Sequence, residues 1–261
     1  MKVVERWLIR GADIRMKPNA QIYQAYGLGE RETFDYFYSG NPNGPLLMYI
    51  HGGYWQRGDK SMYSFISESF VKHGVSVAVL NYDLTPSVRM GQIPPQIRKA
   101  IAWCFHHSNE LKFDKNSLHI SGHSAGGHLG ALMMATDWPK YDKQLPAELI
   151  KSATLISGVF DLEPIVHTSL NEGPQMDIAE AIAESPLFIP PITNAPLLLA
   201  YGGDETDEFH RQSKDYANKF RTSERDIEVY EVPEADHFDE LDKLAEDDSI
   251  FFEKVLKLIM K

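Results

Sequence analysis

At 261 residues, with 43% hydrophobic and 24% charged residues, the chain has the composition of a soluble globular protein and enough length to bury a sizeable core. A formal net charge of -11 argues against nucleic acid or an anionic membrane as a partner, since either calls for a basic face. The single cysteine, Cys104, excludes an internal disulfide, and no run of the sequence reaches membrane-spanning length.

Met1-Lys2-Val3-Val4-Glu5-Arg6 has neither the apolar stretch nor the small-residue cleavage site of a secretory leader, so a reducing cytoplasm is the expected location. Short apolar runs then alternate with amphipathic ones. Strands are expected at 33–38 and 46–51. The run Leu46-Leu47-Met48-Tyr49-Ile50 is nearly continuous in apolar residues, as befits a strand covered on both faces. A helix is expected at 63–73, a strand at 75–81 and a helix at 95–111, where Cys104 sits among large apolar neighbours as a buried, inert thiol. A strand at 117–121 and a helix at 125–136 follow, then strands at 153–157 and 197–201, a helix at 210–221, a strand at 227–232 and a helix at 248–261. This alternation predicts one α/β domain over residues 1–261, with a mainly parallel central sheet and helices on both faces.

Residues 161–196 break the rhythm. They contain Pro164, Pro174, Pro186, Pro190 and Pro191 around one short helical stretch at 177–184. The segment is too long for a simple connector and reads as a lid-like excursion over the strand ends. The acidic cluster Glu240, Asp242, Glu246, Asp247 and Asp248 reads as a solvated connection and helix start.

The chemistry concentrates at Gly122-His123-Ser124-Ala125-Gly126, a G-x-S-x-G run between an apolar strand and a helix. A serine on such a sharp turn has its hydroxyl pushed clear of the backbone at a helix N-terminus, as a nucleophile needs. It also needs a base, and the base an orienting acid. His237, between the last strand and the last helix, is the candidate base. The acid is Glu205 by its spacing after the strand and Gly202, with Asp204 the alternative. The oxyanion formed in acyl transfer needs backbone N–H donors. Ala125 supplies one, and Gly52 or Gly53 of His51-Gly52-Gly53-Tyr54-Trp55 the other, with Tyr54 a further candidate. His119, His123 and His128 fall on a strand, a turn and a helix, so no single face collects them and no metal site is expected. No cofactor is expected either, since neither a Walker lysine nor G-x-G-x-x-G follows Gly202-Gly203.

HGGYW at 51–55, GHSAGGHL at 122–129, SGVFDLEP at 157–164 and DHFD at 236–239 together resemble the α/β-hydrolase kynurenine formamidases (arylformamidases) and their bacterial esterase relatives. The resemblance runs from about residue 20 to the C-terminus. It implies an α/β-hydrolase fold and hydrolysis of N-formylkynurenine to kynurenine and formate by a Ser-His-acid triad. In that group the acid precedes a helix bearing Arg-Gln, and counting back from Arg211-Gln212 also points to Glu205; the family often has aspartate there, so Asp204 stays open. An aromatic amine leaving group calls for an apolar pocket, for which Tyr54, Trp55, Phe160 and Phe238 are the candidates. His167, Ser169 and Asn171 are candidates for the polar head of such a substrate. The alternative activity is that of a broad-specificity carboxylesterase on short-chain acyl esters. The expected partner is a small-molecule substrate, with no nucleic acid and no membrane; a homodimer is left open.

Overall fold

A computed structural model describes residues 3–261. Eight strands form one sheet: β1 (Ala20–Ala25), β2 (Thr33–Phe37), β3 (Leu46–Ile50), β4 (Ser76–Leu80), β5 (Leu118–His123), β6 (Ile150–Ile156), β7 (Leu197–Gly202) and β8 (Ile227–Val232). Their order is β1-β2-β4-β3-β5-β6-β7-β8. The pairs β1–β2 and β2–β4 are antiparallel and all the others parallel. This is the mainly parallel sheet that strand–helix alternation predicts.

The helices are α1 (Val3–Arg15), α2 (Lys60–Tyr63), α3 (Ser67–Lys72), α4 (Ile93–His106), α5 (Ser108–Leu111), α6 (Ala125–Met134), α7 (Trp138–Tyr141), α8 (Glu163–Val166), α9 (Ile178–Ala183), α10 (Asp207–Phe220), α11 (Asp239–Ala245) and α12 (Ile250–Ile259). Two apolar layers lie on opposite faces of the sheet. Strand β3 shows the division: Leu46, Met48 and Ile50 enter one layer, Leu47 and Tyr49 the other. A strand buried on both faces has no polar side to present, so its sequence runs apolar without alternation. Every residue of α6 is buried, which places the segment after Ser124 in the middle of the molecule.

The elements outside the expected set include β1, α1 and the short helices α7, α8 and α11. Strand β1 is an antiparallel edge strand with an irregular register and mostly exposed side chains. Helix α1 buries only Trp7, Gly11 and Ile14, a stripe at helical spacing. Trp7 stacks on Phe65 (5.2 Å between centroids) and lies 6.0 Å from Phe238. Its indole N–H donates to Asp242 Oδ1 (3.0 Å), and Arg6 and Arg10 pair with the same carboxylate. The first helix thus braces the segment that follows His237. The acidic cluster at 240–248 is solvated only in part: Glu246 and Asp248 are exposed just before α12, but Glu240 is fully buried and Asp242 is held by α1.

Trp7→Ala should destabilise the protein by about 3–5 kcal/mol, the usual loss when a buried tryptophan is truncated. Urea unfolding checks this, and a midpoint equal to wild type would show that α1 is not an integral part of the folded unit.

Candidate active site

Ser124 occupies the turn between β5 and α6 with φ 56 and ψ -118, a conformation rare for a residue with a side chain. Its glycine neighbours permit the turn by close approach. A Cβ at Gly122 would lie 2.2 Å from the carbonyl oxygen of Gly126, and one at Gly126 would lie 1.9 Å from that of Ile50. The β3 strand end and the start of α6 are therefore in backbone contact, which sets the loop after β3 beside the serine.

In that loop a Cβ at Gly52 would meet Ser124 Cβ at 3.0 Å and His123 O at 2.8 Å. Gly53, Tyr54 and Trp55 follow with φ of 120, 51 and 57. Among the described residues, nothing accepts a hydrogen bond from the N–H of Gly52 or Gly53. The N–H groups at the start of α6, beginning with Ala125, have no acceptor within their own helix. The backbone donors named from the sequence thus border Ser124 from two sides.

His237 and Glu205 meet across the top of the sheet, with Nδ1 to Oε1 at 2.5 Å. Glu205 Oε2 accepts from the N–H of Gly202 (2.8 Å) and from Ser157 Oγ (2.5 Å). Burial alone would raise this carboxyl, but the hydrogen bonds from His237, Ser157 and Gly202 hold it below the usual carboxylate range. Asp204 is exposed and only its backbone N–H is engaged, with Ala235 O at 3.0 Å. With Nδ1 bound to Glu205, the imidazole keeps Nε2 free for proton exchange. Among the described residues no hydrogen bond joins Ser124 Oγ to His237; such contacts commonly tighten only when substrate binds.

The expected aromatic lining divides. Trp55 and Phe160 are both 0% exposed and belong to the core, not to an open pocket. Trp55 donates its indole N–H to His128 Nδ1 (3.2 Å), and Phe160 packs on Tyr216 (4.5 Å). Large rings following a tight turn find more contact inward than outward, and local sequence does not say which way they face. Phe238 is 45% exposed and Tyr54 half-buried near Glu205. Phe209, which the sequence did not single out, stacks on His237 at 4.7 Å. Phe209 and Phe238 line a shallow cleft of about 210 Å³ with Asp204, Glu205, Thr206, Asp236 and His237.

Residues 161–196 fold back onto this end of the sheet. Gln56 donates to Leu170 O (2.8 Å), His128 Nε2 bonds to Glu184 O (2.8 Å) and Arg89 pairs with Glu180. Asn171 is turned inward on its own segment, holding Met176 through N–H and carbonyl. Gln212 of α10 accepts from the N–H groups of Phe160 (2.6 Å) and Asp161 (2.9 Å), fixing the chain after β6.

Sequence reasoning missed a second carboxyl. Glu240 Oε2 lies 2.9 Å from Ser157 Oγ, and Oε1 lies 2.9 Å from His123 Nε2 and 3.8 Å from His237 Nδ1. Its signal is absent from the sequence because it sits in an acidic run that looks solvated. His123, His237 and Glu240 present their polar atoms within 4.8 Å of one another. They form a hydrogen-bonded set, since His123 Nε2 also meets the carbonyl oxygen of His237 (2.9 Å) and so carries a proton there.

Comparison with known proteins agrees with this architecture. The BD-FAE family model matches residues 37–187, and the chain belongs to that α/β-hydrolase family. It is 32% identical to a kynurenine formamidase of Salmo salar over 90% of this chain and 81% of that protein. A kynurenine formamidase of Danio rerio is 30% identical over 90% and 80%. Among solved structures, a candidate thioesterase from Silicibacter sp. TM1040 superposes with a TM-score of 0.86 at 30% identity, covering 99% of this chain and 93% of that one. Esterase B of Lactobacillus rhamnosis shares the fold at a TM-score of 0.75 and 19% identity, over 98% and 89%. The protein is a hydrolase enzyme of this fold.

Burial sets the pH dependence of stability. His51, His119, His123 and His128 are pushed by desolvation down to about 4 from an ordinary 6.5. Between those values the unfolded chain binds protons that the folded chain does not, so stability falls as pH falls through the window. Glu240, Asp35 and Glu184, each raised by burial, run in the opposite sense and offset part of this loss. The urea midpoint should therefore drop steeply between pH of about 6.5 and about 4. A flat midpoint over that range would contradict the neutral state of these imidazoles.

Proposed function

We propose that this enzyme is a serine hydrolase that cleaves a small aryl formamide, N-formylkynurenine, to kynurenine and formate. The observation that carries the chemistry is the placing of the Ser124 turn beside the Gly52 backbone and the hydrogen-bonded Glu205–His237 pair. The substrate class follows from the similarity to kynurenine formamidases across nine-tenths of the chain.

Ser124 Oγ attacks the formyl carbon while His237 Nε2 takes its proton. Glu205 stabilises the resulting imidazolium and fixes its tautomer. The tetrahedral oxyanion is received by N–H groups of Gly52, Gly53 and Ala125. Collapse breaks the C–N bond, and His237 returns its proton to the departing arylamine. Water, deprotonated by His237, then releases formate from the formyl-serine. Tyr54, Phe209 and Phe238 are the aromatic side chains that receive the arylamine in this reading. A second reading, cleavage of short-chain acyl esters through the same steps, uses the same fold, which esterase B also has.

Ser124→Ala should lower kcat by about 10⁴- to 10⁶-fold with the fold intact. Glu205→Gln should lower it by up to about 10⁴-fold and Asp204→Asn only slightly. The reverse ranking would make Asp204 the acid. EDTA should leave the rate unchanged, and loss of activity restored by zinc would replace this mechanism with a metal-dependent one.

Substrate preference is read from kcat/KM for N-formylkynurenine beside p-nitrophenyl acetate, butyrate and octanoate. The formamide should exceed the esters, and acetate should exceed octanoate in graded steps, since one methylene in such a pocket is worth about 1–3 kcal/mol. A maximum at butyrate or octanoate with no formamide cleavage would establish the carboxylesterase reading instead.

A further inference from the structure

Beneath the Glu205–His237 pair lies a chain of buried polar groups drawn from four separate elements. His123 ends β5, Ser157 follows β6, Glu205 follows β7, and Glu240 is in the first turn of α11. Glu240 and Ser157 are 0% exposed and His123 is 3% exposed. Among the described residues, neither Glu205 nor Glu240 has a lysine or arginine partner.

The protons of this chain can be counted. Ser157 Oγ has one hydrogen and lies within bonding distance of two carboxyl oxygens, Glu205 Oε2 at 2.5 Å and Glu240 Oε2 at 2.9 Å. One hydroxyl hydrogen cannot satisfy both. Were both carboxyls ionised, one oxygen would face the lone pairs of Ser157. The missing proton therefore belongs to a carboxyl. Glu205 already accepts at both oxygens, from His237 Nδ1 and from the N–H of Gly202. Glu240 Oε1 shares the one hydrogen of His123 Nε2 with the carbonyl oxygen of His237, a three-centre bond whose carbonyl partner requires that hydrogen to stay on the ring. His123 Nδ1 is buried without a partner, so this imidazole is neutral with its hydrogen on Nε2. Only Glu240 Oε2 is left, facing nothing but Ser157.

We infer that Glu240 is a neutral carboxylic acid at neutral pH and acts as a positioning residue, donating to Ser157, which in turn donates to Glu205. The hydrogens then run in one direction, from Glu240 to Ser157 to Glu205, and from His123 to Glu240. The cluster holds one negative charge, on Glu205, to meet the single positive charge that His237 acquires during turnover. Other ionisable groups around Glu240 agree with this state. Asp236 adds negative potential, Tyr49 on β3 is a buried neutral phenol, and His237 is the group that acquires positive charge. Burial and the Glu205 charge both oppose ionisation of Glu240.

This inference rests on the roles proposed for Glu205 and His237, and the experiment separates the two. Glu240→Gln, Glu240→Leu and Ser157→Ala are compared in the full chain with p-nitrophenyl acetate, by kcat, KM and the pH profile of kcat/KM, beside Ser124→Ala. The side-chain amide introduced by Glu240→Gln can donate to Ser157 and accept from His123, so that variant should keep kcat/KM within about twofold of wild type, with the acid limb of the profile unmoved. Glu240→Leu and Ser157→Ala should each lower kcat about tenfold or more with KM little changed, as buried partners are left unpaired. The infrared difference between wild type and Glu240→Gln at neutral pH should contain the carbonyl stretch of a protonated carboxylic acid. That readout does not depend on turnover, so it holds even where a variant is catalytically impaired. Two results would overturn the inference: no such band, or a Glu240→Gln variant that shifts the acid limb to lower pH and falls as far as Glu240→Leu. Wild-type rates in Glu240→Leu would remove the positioning role. Activity in Ser124→Ala would refute the proposed function while leaving the protonation of Glu240 to be read from the spectrum.

Discussion

The close approach of backbone at the β5–α6 turn governs the rest of the site. The start of α6 rests against the end of β3, with no room for a side chain at Gly126, and this contact holds Ser124 at positive φ. Such a conformation is unfavourable by about 1–3 kcal/mol unless the surroundings enforce it. Five non-glycine residues with positive φ gather at the same end of the sheet: Tyr54, Trp55, Ser124, Ser157 and Glu234. Each lies just beyond the C-terminal end of a parallel strand. The central strands and the buried helix α6 supply the rigidity that keeps them there, and the loop after β3 is held in backbone contact with the Ser124 turn.

Desolvation is the second determinant. The interior beneath Ser124 contains imidazoles held neutral and one carboxyl held ionised, and what distinguishes them is how many hydrogen bonds favour the charged form of each. Glu205 receives three donors and stays charged in spite of burial. His51, His123 and His128 receive too little compensation and stay neutral. The negative charge is thereby confined to Glu205, beside His237, with neutral packing around it. Membership in the BD-FAE family, together with similarity to kynurenine formamidases and to a thioesterase structure, is consistent with a common frame on which the chemistry is set by a few side chains at the strand ends.

Regions of strong periodicity were readable without coordinates, and weakly patterned ones were not. Strands β3, β4 and β7 announce themselves as apolar runs because burial on both faces demands it. Strand β1 does not, because an edge strand with exposed side chains carries little hydrophobic pattern. Helix α1 escapes notice because three buried positions in thirteen residues are too few to stand out, although Trp7 ties it to the segment after His237. The acidic stretch around 240 misleads for a related reason: charge density suggests solvent, and one member of the run is wholly buried.

What the sequence alone determined is the short-range chemistry. A glycine two residues either side of Ser124, a strand before and a helix after are local steric requirements, so the turn and its serine can be read from adjacent residues. The Gly52-Gly53 loop follows from the same kind of reasoning. What only the tertiary structure decided is which distant groups meet. Glu205 and not Asp204 reaches His237 because the turn after β7 points one carboxylate inward and leaves its neighbour in solvent. Trp55 and Phe160 turn into the core because more contact area is available there than at the site. Ser157 and Glu240, 83 residues apart, come to share a hydrogen bond because β6 and β7 are neighbours in the sheet and α11 closes over them. Pairings of that length depend on strand order and burial, which are properties of the whole packed chain and of no local segment of it.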